Sequence, residues 1–482
     1  MRCAALSGAA GIAALLLAAC STTVTGHGVV SAPRTTPAAP STSVPDTQPG
    51  SAPPTGTTTT CDTYASPDPN RPKMTLRFTI APGHGTVTGH EQVVFRPDIP
   101  IRELVFRLTA NTKPTVAQGN KIVVTAARAD HGGGRYFFTT ANAPASTQGG
   151  LLHIPFATII PRGTTVTASI DFHLTLGNES FDRFGRAGPF AYFGSAEPLL
   201  AWERGYGWHK EGMLDFLAES ATSEAMDVDL TVTAPAADTV IMSGDPTQPA
   251  VSGSNRVWHS TIATARDVSV AAGPFAVSDV NVGGVRLRVG APNAAMRDAL
   301  LPEFQRAITE LARYFGPFPF PSLSVARLPA QGGGIEYPSS ILMLDGSRYV
   351  AVHETAHQWF YAMVGDSQAL HPWLDEGFAS YAEEIVNHDR PRDGALSAPG
   401  PVDASTESYG YDANDYYFLT YNKAAAALFA ARQAAGAAKW DAALRCYVAR
   451  NAWRIANPPD LLAALRDLPA AITALQGAGA LP

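Results

Sequence analysis

No lysine- or arginine-rich run occurs anywhere in the 482 residues, and the formal net charge is −7. A nucleic-acid-binding surface would leave a basic footprint, so that class of function is excluded. Long apolar runs are also missing. Residues 4–19 form the single stretch apolar enough to consider for a bilayer, and it is short for a span, which excludes a multi-pass membrane protein. No internal repeat is present, and cysteine is scarce, with four residues in all. What is present is 45% apolar and 16% charged content. That suffices for two or three globular domains with proper cores and excludes wholesale disorder.

Arg2 precedes the apolar run, which ends in Leu17-Ala18-Ala19-Cys20. A basic residue, an apolar segment and small residues in that order read as an export signal over 1–19. Its end resembles a bacterial lipobox. The resemblance implies cleavage before Cys20 and acylation of its thiol and new amine, a palmitate-type anchor holding the chain on the extracytoplasmic face of the cell membrane. An ordinary signal peptide with a chance cysteine is the alternative. Cys3 leaves with the leader and Cys20 carries lipid, so Cys61 and Cys446 remain in a compartment that permits disulfides. One bridge and two buried free thiols are equally good readings. Residues 20–61 comprise the lipidated cysteine and a Thr/Pro/Ser-rich linker that buries too little to fold and stays extended.

Over 62–282 apolar and polar residues alternate, as in Thr75-Leu76-Arg77-Phe78-Thr79-Ile80 and Asp227-Val228-Asp229-Leu230-Thr231-Val232, with Gly, Pro, Asn and Asp between the runs. Period two predicts a β-rich antiparallel domain. Residues 190–212 break the alternation with Trp202, Tyr206 and Trp208, and read as a long loop packed on the next domain. Within 283–482 the period becomes helical: Leu300, Phe304, Ile308, Leu311 and Phe315 line one face of a helix over 294–315. Further helices are predicted over 347–364, 374–387, 416–435, 438–451 and 459–467. The fold class is therefore α+β and multidomain, a β domain followed by a mostly helical one.

The informative string is His353-Glu354-Thr355-Ala356-His357, inside a predicted helix. Imidazoles at i and i+4 stand one above the other, so both can direct a ring nitrogen at one metal ion. Glu354 projects at a neighbouring angle, where it can reach a water on the metal without being a ligand. Zinc sites with two histidines often take a glutamate as third ligand. Glu376, nineteen positions after His357 at the apparent start of the next helix, supplies one. The His-Glu-x-x-His spacing followed by a glutamate at a fixed offset arises by chance in roughly one such chain in three thousand, so coincidence loses. A decayed site that kept only its ligands would have no use for Glu354.

These residues resemble the zinc signature of gluzincin metallopeptidases of the aminopeptidase N and leukotriene-hydrolase family, with Glu376 inside Trp373-Leu374-Asp375-Glu376-Gly377-Phe378-Ala379. Upstream, Gly333-Gly334-Ile335-Glu336-Tyr337-Pro338 resembles the family's Gly-x-Met-Glu-Asn motif, with Tyr337 where Asn is usual. The resemblance implies an N-terminal β saddle or sandwich domain, a thermolysin-like catalytic domain, and one Zn2+ per chain on His353, His357 and Glu376. It implies that Glu354 is the catalytic base, that Glu336 pairs with a substrate ammonium, and that Gly333 and Gly334 let a peptide backbone approach. Tyr421, in Tyr421-Asn422-Lys423-Ala424, would donate to the oxyanion, with Tyr416 and Tyr417 as alternatives; Ala424 stands where the family has glycine. Glu383, two helical turns beyond Glu376, would orient a ligating histidine or else be a solvated helix carboxylate.

The expected protein is a membrane-anchored zinc peptidase acting on peptide or protein substrates, an aminopeptidase by virtue of Glu336. An envelope endopeptidase, or a non-catalytic surface-binding lipoprotein retaining the fold, is the alternative. High Ala and Pro usage fits a mycobacterial or other actinobacterial source.

Overall fold

The computed structural model describes residues 61, 63–178, 183–216, 218, 222–330, 332–409 and 412–482. The export signal at 1–19, Cys20 and the linker up to residue 60 lie outside the described residues.

The alternating runs become sheet. Lys73–Ile80 buries Met74, Leu76, Phe78 and Ile80 on one face and sits inside a seven-stranded sheet. The strand order is Ala250–Ser252, Asn255–Ala265, Met226–Pro235, Lys73–Ile80, Thr86–Phe95, Val166–Thr175, Lys121–Ala129. Neighbours are antiparallel except Lys73–Ile80 with Met226–Pro235. A four-stranded sheet built on Ile101–Arg107 and Leu151–Ile160 shares its core through Phe106, Leu152 and Trp202.

The segment 190–212, expected as a loop, contains four strands: Phe190–Gly194, Leu199–Leu200, Trp202–Glu203 and Gly207–Trp208. Every residue of Phe190–Gly194 is buried, so no polar face remains to produce an alternation. This strand belongs to a four-stranded sheet, Thr239–Met242, Ser269–Gly273, Phe190–Gly194 and Phe184–Ala187. Its Tyr192 and Ala271 pack with Ile335, Tyr337 and Leu342 of a five-stranded mixed sheet. The order there is Ala276–Val282, Val285–Ala291, Ser322–Arg327, Ser340–Met343, Gly334–Tyr337, with the last strand at the edge. The division expected between 282 and 283 coincides with the turn of the first hairpin in this sheet.

Helix Ala294–Phe315 begins where Asn293 accepts from the Met296 N–H at 2.9 Å and buries the predicted stripe from Leu300 to Phe315. Glu376–Asn387, Ala424–Ala435, Ala437–Asn451 and Pro469–Gly477 surround a core of Trp359, Trp373, Phe378, Leu428 and Trp440. The helix expected over 347–364 is shorter, Arg348–Ala356. Beyond it Tyr361 takes φ 103°, which no helix accommodates. Buried Arg266, from the β half, collects the carbonyls of Tyr361 at 2.8 Å, Ser223 at 2.7 Å and Arg454 at 2.9 Å. The turn after this helix is thereby tied to the β domain.

Cys61 and Cys446 form a disulfide across 385 positions, which settles the pairing that the sequence leaves open. Next to it, Ala65 N–H donates to Ala449 O at 2.8 Å, and Tyr64 Oη receives Trp359 Nε1–H at 3.3 Å and donates to the Pro317 carbonyl. No helix among the described residues is long and apolar enough to cross a membrane.

Candidate active site

His353 and His357 stand one turn apart, ring centroids 4.9 Å from each other, at the C-terminal end of Arg348–Ala356. Helix Glu376–Asn387 returns across them, which places Glu376 Oε2 3.1 Å from His353 Nε2 and 3.4 Å from His357 Nε2. One donor atom from each of the three lies within 4.8 Å of the others. The opposite ring nitrogens are engaged elsewhere. His353 Nδ1 is 3.4 Å from Glu383, and His357 Nδ1 is 2.6 Å from Asp375, which also accepts from Gln368 at 3.2 Å. Each Nε2 therefore faces the common point, and each ring is oriented by a carboxylate. Two imidazoles and one carboxylate, buried, convergent and braced from behind, are the donor set of a zinc site. Of the two readings of Glu383, the 3.4 Å approach to His353 Nδ1 fits the orienting one. Asp375 was missed by that reading.

Carboxylates crowd these imidazoles. Burial opposes the imidazolium at His353, but hydrogen bonds to Glu376 and Glu383 outweigh it and push its pKa up to about 10. His357 is also displaced upward: burial is outweighed by Asp375 and Glu336. The cage thus favours positive charge, and a metal entering it displaces protons.

Glu354 is buried beside the ligands, and its Oε2 accepts no hydrogen bond among the described residues. Burial pushes its pKa up to about 7, against the pull of the neighbouring imidazoles, which suits proton exchange near neutrality. Edge strand Gly334–Tyr337 passes directly over it. A Cβ on Gly334 would lie 2.4 Å from Glu354 Cγ, so only glycine permits that approach. Gly333 meets no such obstacle, and its carbonyl accepts from Leu344 and Asp345 N–H, each at 2.9 Å. Glu336, on the same strand, comes within 4.8 Å of Glu354 and His357 donor atoms. Tyr337 points the other way, into the seam between the sheets, where a Cβ on Gly194 would strike its ring.

Tyr421 donates to Glu376 Oε1 at 2.5 Å and its ring lies parallel to that of His353, 6.0 Å away. Tyr416 and Tyr417 pack behind it, together with Phe216. Tyr421 thus bonds a cage carboxylate directly through its hydroxyl. It lies on a π-helical turn, Phe418–Lys423, between helices Ala413–Tyr417 and Ala424–Ala435. Such wide turns recur at functional sites. Gly377 faces this turn, and a Cβ there would lie 2.6 Å from that of Ala424.

The fold and this cage define a gluzincin zinc metallopeptidase site architecture. Residues 339–476 match the family model described as the Peptidase family M1 domain. Aminopeptidase M1-B of Oryza sativa subsp. japonica is 25% identical over 189 residues, 32% of this chain and 22% of that protein. Human endoplasmic reticulum aminopeptidase 1 is 26% identical over 183 residues, 31% of this chain and 19% of that protein. The matched stretch thus spans about a fifth of these curated relatives. The crystal structure of the M1 zinc metallopeptidase from Deinococcus radiodurans superposes with a TM-score of 0.63 at 21% identity, covering 85% of this chain and 94% of that one.

Proposed function

We propose that this chain is a zinc-dependent aminopeptidase, anchored through lipid at Cys20 on the outer face of the cell membrane. The observation that carries the activity is the convergence of His353, His357 and Glu376 with an unbonded Glu354 carboxylate oxygen beside them. His353, His357 and Glu376 would hold the zinc, which when bound supplies a Lewis acid to polarise a carbonyl and to acidify water. Glu354 takes the proton of the attacking water and returns it to the leaving amine, a role its near-neutral pKa suits. The Tyr421 hydroxyl turns from Glu376 to the oxyanion as the tetrahedral centre forms. Glu336 pairs with the substrate's free ammonium and so fixes which bond is presented. A point mutant of the similar Deinococcus radiodurans metallopeptidase was crystallised bound to a Tyr-Ser-Ala substrate, which supports short peptides as the substrate class.

The test compares kcat/KM for one peptide with a free and with an acetylated amino terminus. Glu336→Ala should lower kcat/KM for the free form by about 30- to 1000-fold and leave the slow cleavage of the acetylated form little changed. Wild-type cleavage of both forms at equal rates would replace the aminopeptidase reading by the endopeptidase one. Cys20→Ala should release an active protein from the membrane fraction, and firm retention of that variant would end the lipid-anchor reading.

A further inference from the structure

Gln358 follows the cage residue His357, is fully buried, and has no part in the chemistry described above. Its side chain joins two pieces of the site. Oε1 accepts from Ser339 N–H at 2.9 Å, and Nε2 donates to the Tyr337 carbonyl at 3.0 Å. Both backbone groups flank or belong to the two-residue turn Pro338-Ser339 that closes the hairpin of Gly334–Tyr337 and Ser340–Met343. Glu336 sits on the first of those strands.

This turn is not self-sufficient. Ser339 has φ 61°, and after a proline that turn position ordinarily needs glycine. A serine keeps such a conformation only where its surroundings impose it. Gln358 does so from one side, and the bond from Ser339 Oγ to Ser322 O, 2.7 Å, does so from the other. Without the Gln358 amide, the Ser339 N–H and the Tyr337 C=O each lose a buried hydrogen bond, and the hairpin loses its side-chain tie to the residue that follows His357.

We infer that Gln358 is a positioning residue that sets where the Glu336 carboxylate stands relative to the cage, and thereby which peptide bond, counted from the substrate's ammonium, reaches it. This inference rests on the reading of Glu336 as the partner of that ammonium. Displacements of about 1 Å at such a contact cost on the order of 100-fold.

Gln358→Leu removes both bonds at similar volume, whereas Gln358→Glu keeps the acceptor for Ser339 and loses the donor to Tyr337. Kinetics on one peptide with free and acetylated amino termini, with zinc content measured in parallel, separate positioning from general damage. Gln358→Leu should lower kcat/KM for the free peptide by about 10- to 100-fold, chiefly through KM. The acetylated peptide should lose less than about three-fold, zinc should stay near one per chain, and Gln358→Glu should fall between. Equal losses on both peptides, or a wild-type free-to-acetylated ratio in both variants, would overturn the positioning role. If Gln358→Leu does not fold, the ratio in Gln358→Glu decides alone. A wild type with no preference for the free terminus fails earlier, at the reading of Glu336, and is distinguishable for that reason.

Discussion

Tyr421 bonds the cage through its hydroxyl, and on the proposed mechanism that hydroxyl bonds an oxyanion that exists only along the reaction path. Tyr421→Phe should therefore reduce kcat by about 100- to 1000-fold with little change in KM, measured by steady-state peptide hydrolysis. A larger loss in Tyr416→Phe or Tyr417→Phe would transfer the role to the tyrosines stacked behind it. The convergence of His353, His357 and Glu376 was legible in the sequence because i, i+4 spacing is itself a geometry, and the side on which Glu383 stands because seven residues make two helical turns. Asp375 was not. It lies one residue before a ligand, at the start of a helix, and its aim at His357 depends on how Glu376–Asn387 is rolled against Arg348–Ala356, a tertiary fact with no sequence period.

At the scale of elements, close approaches decide where the catalytic groups stand. Gly334→Ala puts a methyl group 2.4 Å from Glu354 Cγ, so either the edge strand or the carboxylate must move. We expect about a 10- to 100-fold fall in kcat with zinc retained, read by hydrolysis and metal analysis. Wild-type kcat would mean that the strand and Glu354 are not rigidly opposed. The helix read over 416–435 is three pieces, because a single π-helical turn barely alters hydrophobic periodicity yet rotates Tyr421 relative to the helix that follows. Ala424 is accommodated because Gly377, across the contact, offers no Cβ. Strand Ser340–Met343, buried on both faces, was invisible for the reason that hid Phe190–Gly194: its apolar residues follow one another with no polar residue between them.

At the scale of the whole molecule, the β half and the helical half were legible as a switch from period two to period 3.6. Their joining was not, since Arg266 and the seam around Tyr337 act through backbone carbonyls and shape. The Cys61–Cys446 disulfide ties the start of the described chain to helix Ala437–Asn451. Replacing both cysteines by serine should cost about 2–5 kcal/mol of stability, visible as a lower thermal midpoint, because the bridge closes a long loop. An unchanged midpoint under oxidising conditions would show that the strap from Tyr64 to Ala65 holds without it.

On the proposed mechanism Glu354 serves the reaction while His353, His357 and Glu376 serve the metal. Zinc content and peptide hydrolysis, measured together on Glu354→Gln, test it most directly. About one zinc per chain should remain, with activity reduced by at least about 1000-fold, since the amide can neither take nor return the proton. Substantial hydrolysis by Glu354→Gln, or loss of its zinc, would contradict it.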